Sequence, residues 1–269
     1  MTVRALLWLV LSAWFPWAAF AAAALPLQPG ERLTYKVSWA IVLGAGEIKI
    51  AAEPDPTSTT PRLLVTTTTA TRKLARMLLK FDAEAKSVFD LATGRLVALE
   101  EKSQQGDKRS EHRVTFDLDA RQASYFPANA PTAPRVLPIP PGDPTDLIMG
   151  LLQTRTWDLK PGEKRDALVL FDDDFYELTI HMARYEEVET KLGKFRTVVL
   201  EPRMDKTPPK GMFKRGSSVR VWIAEDSHRL PVKFEVEFKI GTGTATLEAY
   251  EPPTAAGASA PANAKNSRP

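Results

Sequence analysis

Alternation of apolar and polar residues with a period of two dominates the chain from residue 31 onward. The stretch RLTYKVSW places Leu33, Tyr35, Val37 and Trp39 on one side of an extended backbone, with polar residues between them. This pattern predicts a strand with one buried and one solvated face, because successive side chains of a strand point to opposite faces. The alternation recurs in HRVTFDL, YELTIHM, KFRTVVLE and VKFEVEFK, and turn sequences such as LGAG, ATGR, KLGKF and GTGT separate the runs. The sequence therefore predicts a mainly β protein, with antiparallel strands arranged as a meander or roll.

One segment predicts a helix. In GDPTDLIMGLLQTR, Asp143 is a suitable N-cap and Pro144 occupies the favoured first helical position. Asp146 follows three residues after the cap, where its charge suits the positive end of a helix. We therefore expect a helix over residues 144–155 that plugs or covers one end of the sheet.

A second segment, TRKLARMLLKF, has helical spacing and two distinct faces. Its apolar face contains Leu74, Met77, Leu78 and Phe81, and its cationic face contains Arg72, Arg76 and Lys80. The spacing predicts a short amphipathic helix or the start of a strand. A helix here would either cover the core or lie at an interface, and the pattern does not separate these two alternatives.

The domain boundaries follow from composition. Residues 126–144 contain seven prolines, which predicts an extended connector rather than a strand within a single β-rich domain at 25–250. Residues 251–269 are rich in Ala, Pro and Asn without apolar periodicity, and we expect this tail to be disordered.

The first 24 residues predict a secretory signal peptide. Arg4 precedes an apolar run over residues 5–20, and small residues follow up to Ala24. The chain has no cysteine, so neither a disulfide nor an N-terminal lipidated cysteine is available. These features favour export to the periplasm of a Gram-negative cell; an uncleaved membrane anchor is the alternative.

Charge and candidate chemistry exclude several classes of function. A net charge of +3 from 36 basic and 33 acidic residues is no basic stripe, so nucleic acid is not an expected partner. Asp226 and His228 in WIAEDSHRLPV have no nucleophile in register, and the segment has the composition of a hairpin turn. Asp172, Asp173 and Asp174 lack the spacing and glycine of a calcium loop, which favours an acidic hairpin tip. No histidine or cysteine spacing indicates zinc, so we expect no catalytic residue, metal or cofactor from these motifs.

The best candidate site is a basic loop at residues 203–215. Its cations are accompanied by apolar side chains, a combination that could contact the head groups of anionic lipid or the phosphates of lipopolysaccharide. The candidate residues are Arg203, Lys206, Lys210, Met212, Phe213, Lys214 and Arg215. A solvated hairpin loop is the alternative.

The chain resembles the bacterial envelope proteins grouped as domain of unknown function 3108. The resemblance rests on GERLTYKVSWAIVLGAGEIKI, DPTDLIMGLLQTRTWDLKPGEK, VETKLGKFRTVVLEP and the long segment that begins VRVWIAEDSHRLPV. It implies a secreted antiparallel sheet that rolls upon itself as a β-roll or barrel-like structure with one or two short helices. It implies no established activity and no catalytic residues.

Three functions remain open from the sequence. The first is an exported protein that binds an apolar or amphipathic envelope ligand and makes at most peripheral membrane contact. The second is a hydrolase of envelope polymers, which needs facing carboxylates. The third is a scaffold that binds another envelope protein through a sheet edge.

Overall fold

The computed structural model describes residues 24–210, 213, 217–238 and 241–254. These residues form a single sheet of 15 strands and two short helices. The strands are β1 (Arg32–Trp39), β2 (Val42–Pro54), β3 (Arg62–Thr71), β4 (Phe81–Asp90), β5 (Leu96–Gln105), β6 (Lys108–Asp117), β7 (Gln122–Pro127), β8 (Arg135–Pro138), β9 (Pro144–Asp146), β10 (Lys164–Phe171), β11 (Asp174–Thr190), β12 (Gly193–Arg203), β13 (Ser218–Ala224), β14 (Pro231–Phe238) and β15 (Gly241–Glu251). The helices are α1 (Lys73–Leu78) and α2 (Leu147–Gln153), and a 3₁₀ turn, Thr154–Thr156, follows α2.

The strands follow chain order around the sheet, except that the first strand, β1, pairs with the last, β15. Neighbouring strands are antiparallel apart from β9 and β10, which run parallel. The two ends of the sheet, β8 and β9, are not hydrogen-bonded to each other. Side chains of β5 to β7 nevertheless pack against side chains of β10 and β11 in one apolar cluster, so the open sheet rolls upon itself. The prediction of a mainly β, antiparallel, rolled sheet with short helices is confirmed.

Alternation along the strands produces the core. In β1, Leu33 and Tyr35 are buried while Arg32 and Lys36 are exposed, as the sequence pattern predicts. The Tyr35 hydroxyl donates a hydrogen bond to the carbonyl of Pro231 at 2.8 Å, which satisfies a polar group inside the core.

Helix α2 lies inside the rolled sheet, where Met149 and Leu152 are buried in the main apolar cluster. A Cβ on Gly150 would approach Val169 Cγ2 to 2.8 Å, so glycine permits the close contact between α2 and β10. The predicted bounds of 144–155 and the predicted cap at Asp143 are wrong. Residues 144–146 pair with β10, and Asp146 is the N-cap, accepting a hydrogen bond from the Met149 amide at 2.8 Å.

The proline-rich segment 126–144 is not wholly an unpaired connector, contrary to the prediction. Strand β8 lies within it and pairs with β7. As an edge strand, β8 can include proline because one side of its backbone needs no ladder hydrogen bond. Both ends of the sheet are short, since β8 has four residues and β9 has three buried ones. Neither is a long open edge of the kind that strand addition requires.

The turn 225–230 joins β13 to β14, as predicted from its composition. Asp226 Oδ1 accepts hydrogen bonds from the amides of His228 at 3.0 Å and Arg229 at 2.9 Å. Pro231 begins the next strand. The aspartate therefore stabilises a turn, and the prediction of a hairpin is confirmed.

A buried ion pair connects distant parts of the chain. Arg155 Nη1 lies 2.7 Å from Glu31 Oε1, and the two side chains are 10% and 2% exposed. Arg155 also donates to the carbonyls of Pro26 and His228, each at 2.8 Å. The residue after α2 thus holds the segment before β1 and the turn before β14 in place.

The signal peptide predicted at 1–24 lies outside the described residues except for Ala24, and most of the predicted disordered tail also lies outside them. Among the helices that the structure describes, none has the length and apolar character needed to span a bilayer.

Candidate functional site

A cavity of about 390 Å³ lies between strands β3 to β6 and the junction of β9 with α2. The turn between β10 and β11 forms part of its border. Its lining combines ionisable, hydroxyl and apolar side chains. The lining residues are Thr67, Thr69, Phe81, Ala83, Glu84, Ala85, Glu101, Lys102, Ser103, Ser110, His112, Asp146, Leu147, Ile148, Phe171 and Asp172.

Glu101 and His112 face each other across β5 and β6, where they are paired in register. Glu101 Oε2 is 3.5 Å from His112 Nε2. The histidine is 5% exposed, and its Nε2 has no hydrogen-bond partner among the described residues. Its ring stacks on Tyr125 with the centroids 5.0 Å apart, which fixes the imidazole plane.

Asp146 closes the inner end of the cavity. Besides capping α2, its carboxylate accepts a hydrogen bond of 2.6 Å from the hydroxyl of Ser87, itself buried on β4. Asp146 is 4% exposed. Its place at the end of β9 is set by the parallel pairing with β10 rather than by a helical start.

Asp172 lies at the outer end, in the turn between β10 and β11, with a φ of 58°. Its Oδ1 accepts a hydrogen bond of 3.0 Å from the Tyr125 hydroxyl and lies 3.9 Å from His112 Nδ1. The neighbouring Asp173 pairs with Arg135, and the guanidinium of Arg135 stacks over Tyr125. The predicted acidic hairpin tip is present, and these contacts tie it to the histidine.

Burial and like charge shift the ionisation of the cavity groups. Burial, aided by the negative charges of Asp146 and Asp172, raises the pKa of Glu101 to about 7. Burial also raises the pKa of Asp146, against hydrogen bonds that lower it. Burial lowers the pKa of His112, against the opposing attraction of Asp172 and Asp173. Near neutral pH the cavity therefore contains a neutral imidazole beside a carboxyl group that is close to half protonated.

Apolar side chains form the other part of the lining. Phe81, Leu147, Ile148 and Phe171 contribute to it, and Phe171 is 42% exposed, which places it at the opening. The cavity is therefore amphipathic. It can enclose an apolar segment while presenting hydrogen-bonding groups to a polar one.

A second cavity, of about 260 Å³, lies near the residues that follow β8. Its charged groups are neutralised by each other: Arg95 pairs with Asp143 at 3.3 Å, and Lys206 pairs with Asp166 at 2.8 Å. No titratable group in its lining has the burial of Asp146 or His112. The first cavity is therefore the stronger candidate site.

The basic loop at 203–215 is only partly within the described residues. Arg203, Lys206 and Lys210 pair with Glu201, Asp166 and Asp174 respectively. Phe213 lies against Tyr176, with ring centroids 6.4 Å apart. The other candidate residues of this loop, Met212, Lys214 and Arg215, lie outside the described residues. Contact of this loop with an anionic surface stays a prediction.

Sequence reasoning missed the grouping of Glu101 and Asp146 with His112, although a signal exists. His112 has the parity of Val114, and Glu101 has the parity of Leu99, both of which are fully buried. A charged side chain at an inward-facing position of two consecutive strands indicates a polar site within a sheet. Within the described part of the chain, no three histidine or acidic side chains are grouped so as to hold a metal ion.

The fold and the cavity define a class of protein: a β-rich, barrel-like open sheet enclosing an amphipathic cavity. The chain belongs to the family described as protein of unknown function (DUF3108), whose model matches residues 34–248. Comparison with curated protein sequences finds no match.

Among solved structures, the chain is similar to a beta-barrel-like protein of domain of unknown function DUF1849 from Brucella abortus. The two are 8% identical, the TM-score is 0.54, and the alignment covers 85% of this chain and 99% of the other. This likeness concerns the fold alone.

A proposed exported protein with a YmcC-like fold from Bacteroides fragilis matches at 13% identity and a TM-score of 0.32, over 86% of this chain and 100% of that one. A proposed lipoprotein from Parabacteroides distasonis matches at 10% identity and a TM-score of 0.31, over 84% and 97%.

Proposed function

We propose that this protein is exported to the periplasm and binds an amphipathic envelope molecule in the cavity between Glu101 and Leu147. The observation that carries the proposal is the two-sided lining: ionisable groups lie on β5 and β6, and apolar side chains lie on β4, α2 and the end of β10. The export component is supported by the N-terminal sequence, with Arg4, an apolar run and small residues in that order.

The chemistry of the polar side selects the head group of the ligand. Glu101, Asp146 and Asp172 are all acids, and His112 is neutral near pH 7 because burial lowers its pKa. A phosphate would meet repulsion here, whereas an amine or a hydroxyl group can donate to the carboxylates and to the unpartnered His112 Nε2. The ligand class is therefore an amphiphile with an amine or hydroxyl head.

The test begins with protein purified from the periplasm, extracted with organic solvent and analysed by mass spectrometry. We expect a bound amphiphile in the unmodified protein. Ala85→Phe, which fills the cavity from β4, should lose it, whereas Ala98→Phe, on the opposite face of β5 from Leu99, should retain it. An empty unmodified protein, or equal retention by both variants, would contradict the proposal.

A second measurement tests the head group with dodecylamine and dodecyl phosphate at concentrations below micelle formation. The amine should bind more tightly, and Glu101→Gln should reduce that preference, because the variant removes the charge that attracts the amine. Equal binding of the two probes would argue against the assignment of the head group.

A hydrolase of envelope polymers is a second candidate, favoured by one observation. The pKa of Glu101, raised to about 7, makes this carboxyl a proton donor at neutral pH beside the carboxylate of Asp172. Release of soluble fragments from purified peptidoglycan by the wild type, and not by Glu101→Gln, would support this candidate over simple binding.

A further inference from the structure

Large aliphatic side chains project from one end of the sheet, where the β1–β2 turn and α1 lie side by side. Helix α1 has no buried residue, so the prediction that its apolar face would be buried is wrong. The exposed fractions are 94% for Ile41, 77% for Leu43, 69% for Leu74, 82% for Met77, 87% for Leu78 and 45% for Leu79. We call these six residues the apolar tip.

The backbone under the apolar tip is held in place. The Arg72 amide donates to the Ala45 carbonyl at 2.8 Å, which joins the start of α1 to β2. Thr71 Oγ1 donates to the Leu79 carbonyl at 2.8 Å and accepts from the Phe81 amide at 3.0 Å, which closes the loop around the helix. Two hydrogen bonds of 2.8 Å join Arg76 to Asp82. The aliphatic side chains therefore project from a supported surface.

Cations surround the apolar tip. Glu47 pairs with Arg72 at 3.0 Å and Asp82 with Arg76 at 2.8 Å, whereas Lys36, Lys73 and Lys80 form no ion pair with any described residue. We call these three residues the tip lysines.

Two of the tip lysines converge. A Cβ on Gly44, whose φ is +65°, would lie 3.2 Å from Lys36 Cε and 3.8 Å from Lys73 Nζ. Lys36 and Lys73 line a cleft at this point together with Arg72. The carboxylates of that cleft are engaged elsewhere, Glu47 with Arg72 and Lys49, and Glu248 with Lys191. The cleft can therefore accept an anionic group.

We infer that this end of the sheet docks on the anionic surface of a lipid bilayer, with the apolar tip inserted at the interface and the tip lysines at the head groups. Aliphatic side chains bordered by unpaired lysines match the two layers of such a surface, hydrocarbon below and negative charge above. A second copy of the chain is a poorer occupant, because two facing copies would bring their unpaired lysines together.

The docked end borders the cavity. Phe81, two residues beyond Leu79, lines it together with Thr69 and Ala83. Docking on a bilayer would thus bring the cavity close to a source of amphipathic molecules. The docking inference itself does not depend on any ligand in the cavity.

The test is co-sedimentation of the purified protein with phosphatidylcholine vesicles that contain or lack phosphatidylglycerol, across a salt series. We expect binding to the phosphatidylglycerol vesicles that fades as salt rises, because exposed charges are screened over about 8 Å at physiological ionic strength. Leu74→Ser with Met77→Ser and Leu78→Ser should weaken binding more than tenfold while the circular dichroism spectrum is retained. Lys36→Glu with Lys73→Glu and Lys80→Glu should weaken it about a hundredfold.

Matched controls use exposed residues elsewhere on the molecule. Val136→Ser with Leu192→Ser, and Lys160→Glu with Lys164→Glu and Lys194→Glu, should bind as the wild type does. Failure of the wild type to sediment at low salt, or equal sedimentation of the tip variants, would overturn the inference.

Further arms identify other occupants of the surface. Loss of binding in Lys206→Glu with Lys210→Glu and Lys214→Glu, with the tip variants unaffected, would assign the membrane contact to the loop at 203–215 and overturn the inference. Light scattering without lipid should show equal masses for the wild type and the Leu74, Met77 and Leu78 variant. A dimer that only the wild type forms would identify the apolar tip as a contact between copies, which would also overturn it.

Discussion

Among single residues, Glu101 gives the fold a specific dependence on pH. Its pKa is about 7 in the folded protein against 4.5 for a free side chain. A raised pKa means that the associated stability is fully present below about pH 4.5 and is lost as the pH rises through 7. The groups that face Glu101 are Asp146 and Asp172, which add to the shift, and His112.

We predict that Glu101→Gln stabilises the protein at alkaline pH. The variant should match the wild type near pH 4.5 and exceed it by up to about 3 kcal/mol at pH 8, because glutamine never has the buried charge. Urea denaturation across this pH range measures the difference. A constant difference between the two proteins at all pH values would show that Glu101 ionises normally.

The pair Glu31 and Arg155 supports a second prediction at this scale. Arg155→Met should cost about 3–5 kcal/mol in the free energy of unfolding, because it leaves the Glu31 carboxylate buried without its partner. Adding Glu31→Gln should restore part of the loss. Denaturant titration of both single variants and the double variant gives the coupling energy, and a value near zero would show that the two charges act independently.

Among the elements, the turn 225–230 acts locally. We predict that Asp226→Ala with His228→Ala lowers the unfolding free energy by about 1–2 kcal/mol through the two lost backbone hydrogen bonds, and leaves ligand and vesicle binding unchanged. Asp226→Asn should retain most of the stability, because its side-chain oxygen still accepts. Loss of binding in the folded double variant would show that this turn has a functional role.

The elements also show what the sequence could predict. Strands with clean alternation, such as β1 and β14, were identified because burial on one face imposes a period of two. The start of α2 was misplaced because Asp143 and Asp146 both fit a cap, and only the pairing of residues 144–146 with β10 selects between them. The exposed face of α1 could not be predicted, since an amphipathic pattern does not state which surface covers it. The cavity required knowledge of which strands meet across the roll.

At the scale of the whole molecule, export is the property that the amino-terminal sequence predicts. A fusion of residues 1–30 to a reporter that is active only outside the cytoplasm should be exported and processed, because Arg4 precedes an apolar run that ends in small residues. Amino-terminal sequencing of the product identifies the cleavage point. An intact amino terminus on the exported product would favour an anchor instead.

The pairing of the first strand with the last has a consequence for folding kinetics. Every other strand pair in the described sheet joins neighbours in sequence, so β1 with β15 is the single contact that spans almost the entire chain. Bringing Arg32 beside Glu251 requires closing a very long loop, and such closures slow folding. A circular permutant that links residue 251 to residue 32 and opens the chain at Gly142, between the two unbonded ends of the sheet, would make all strand pairs local. Such a chain should refold faster than the natural one while keeping the same native sheet.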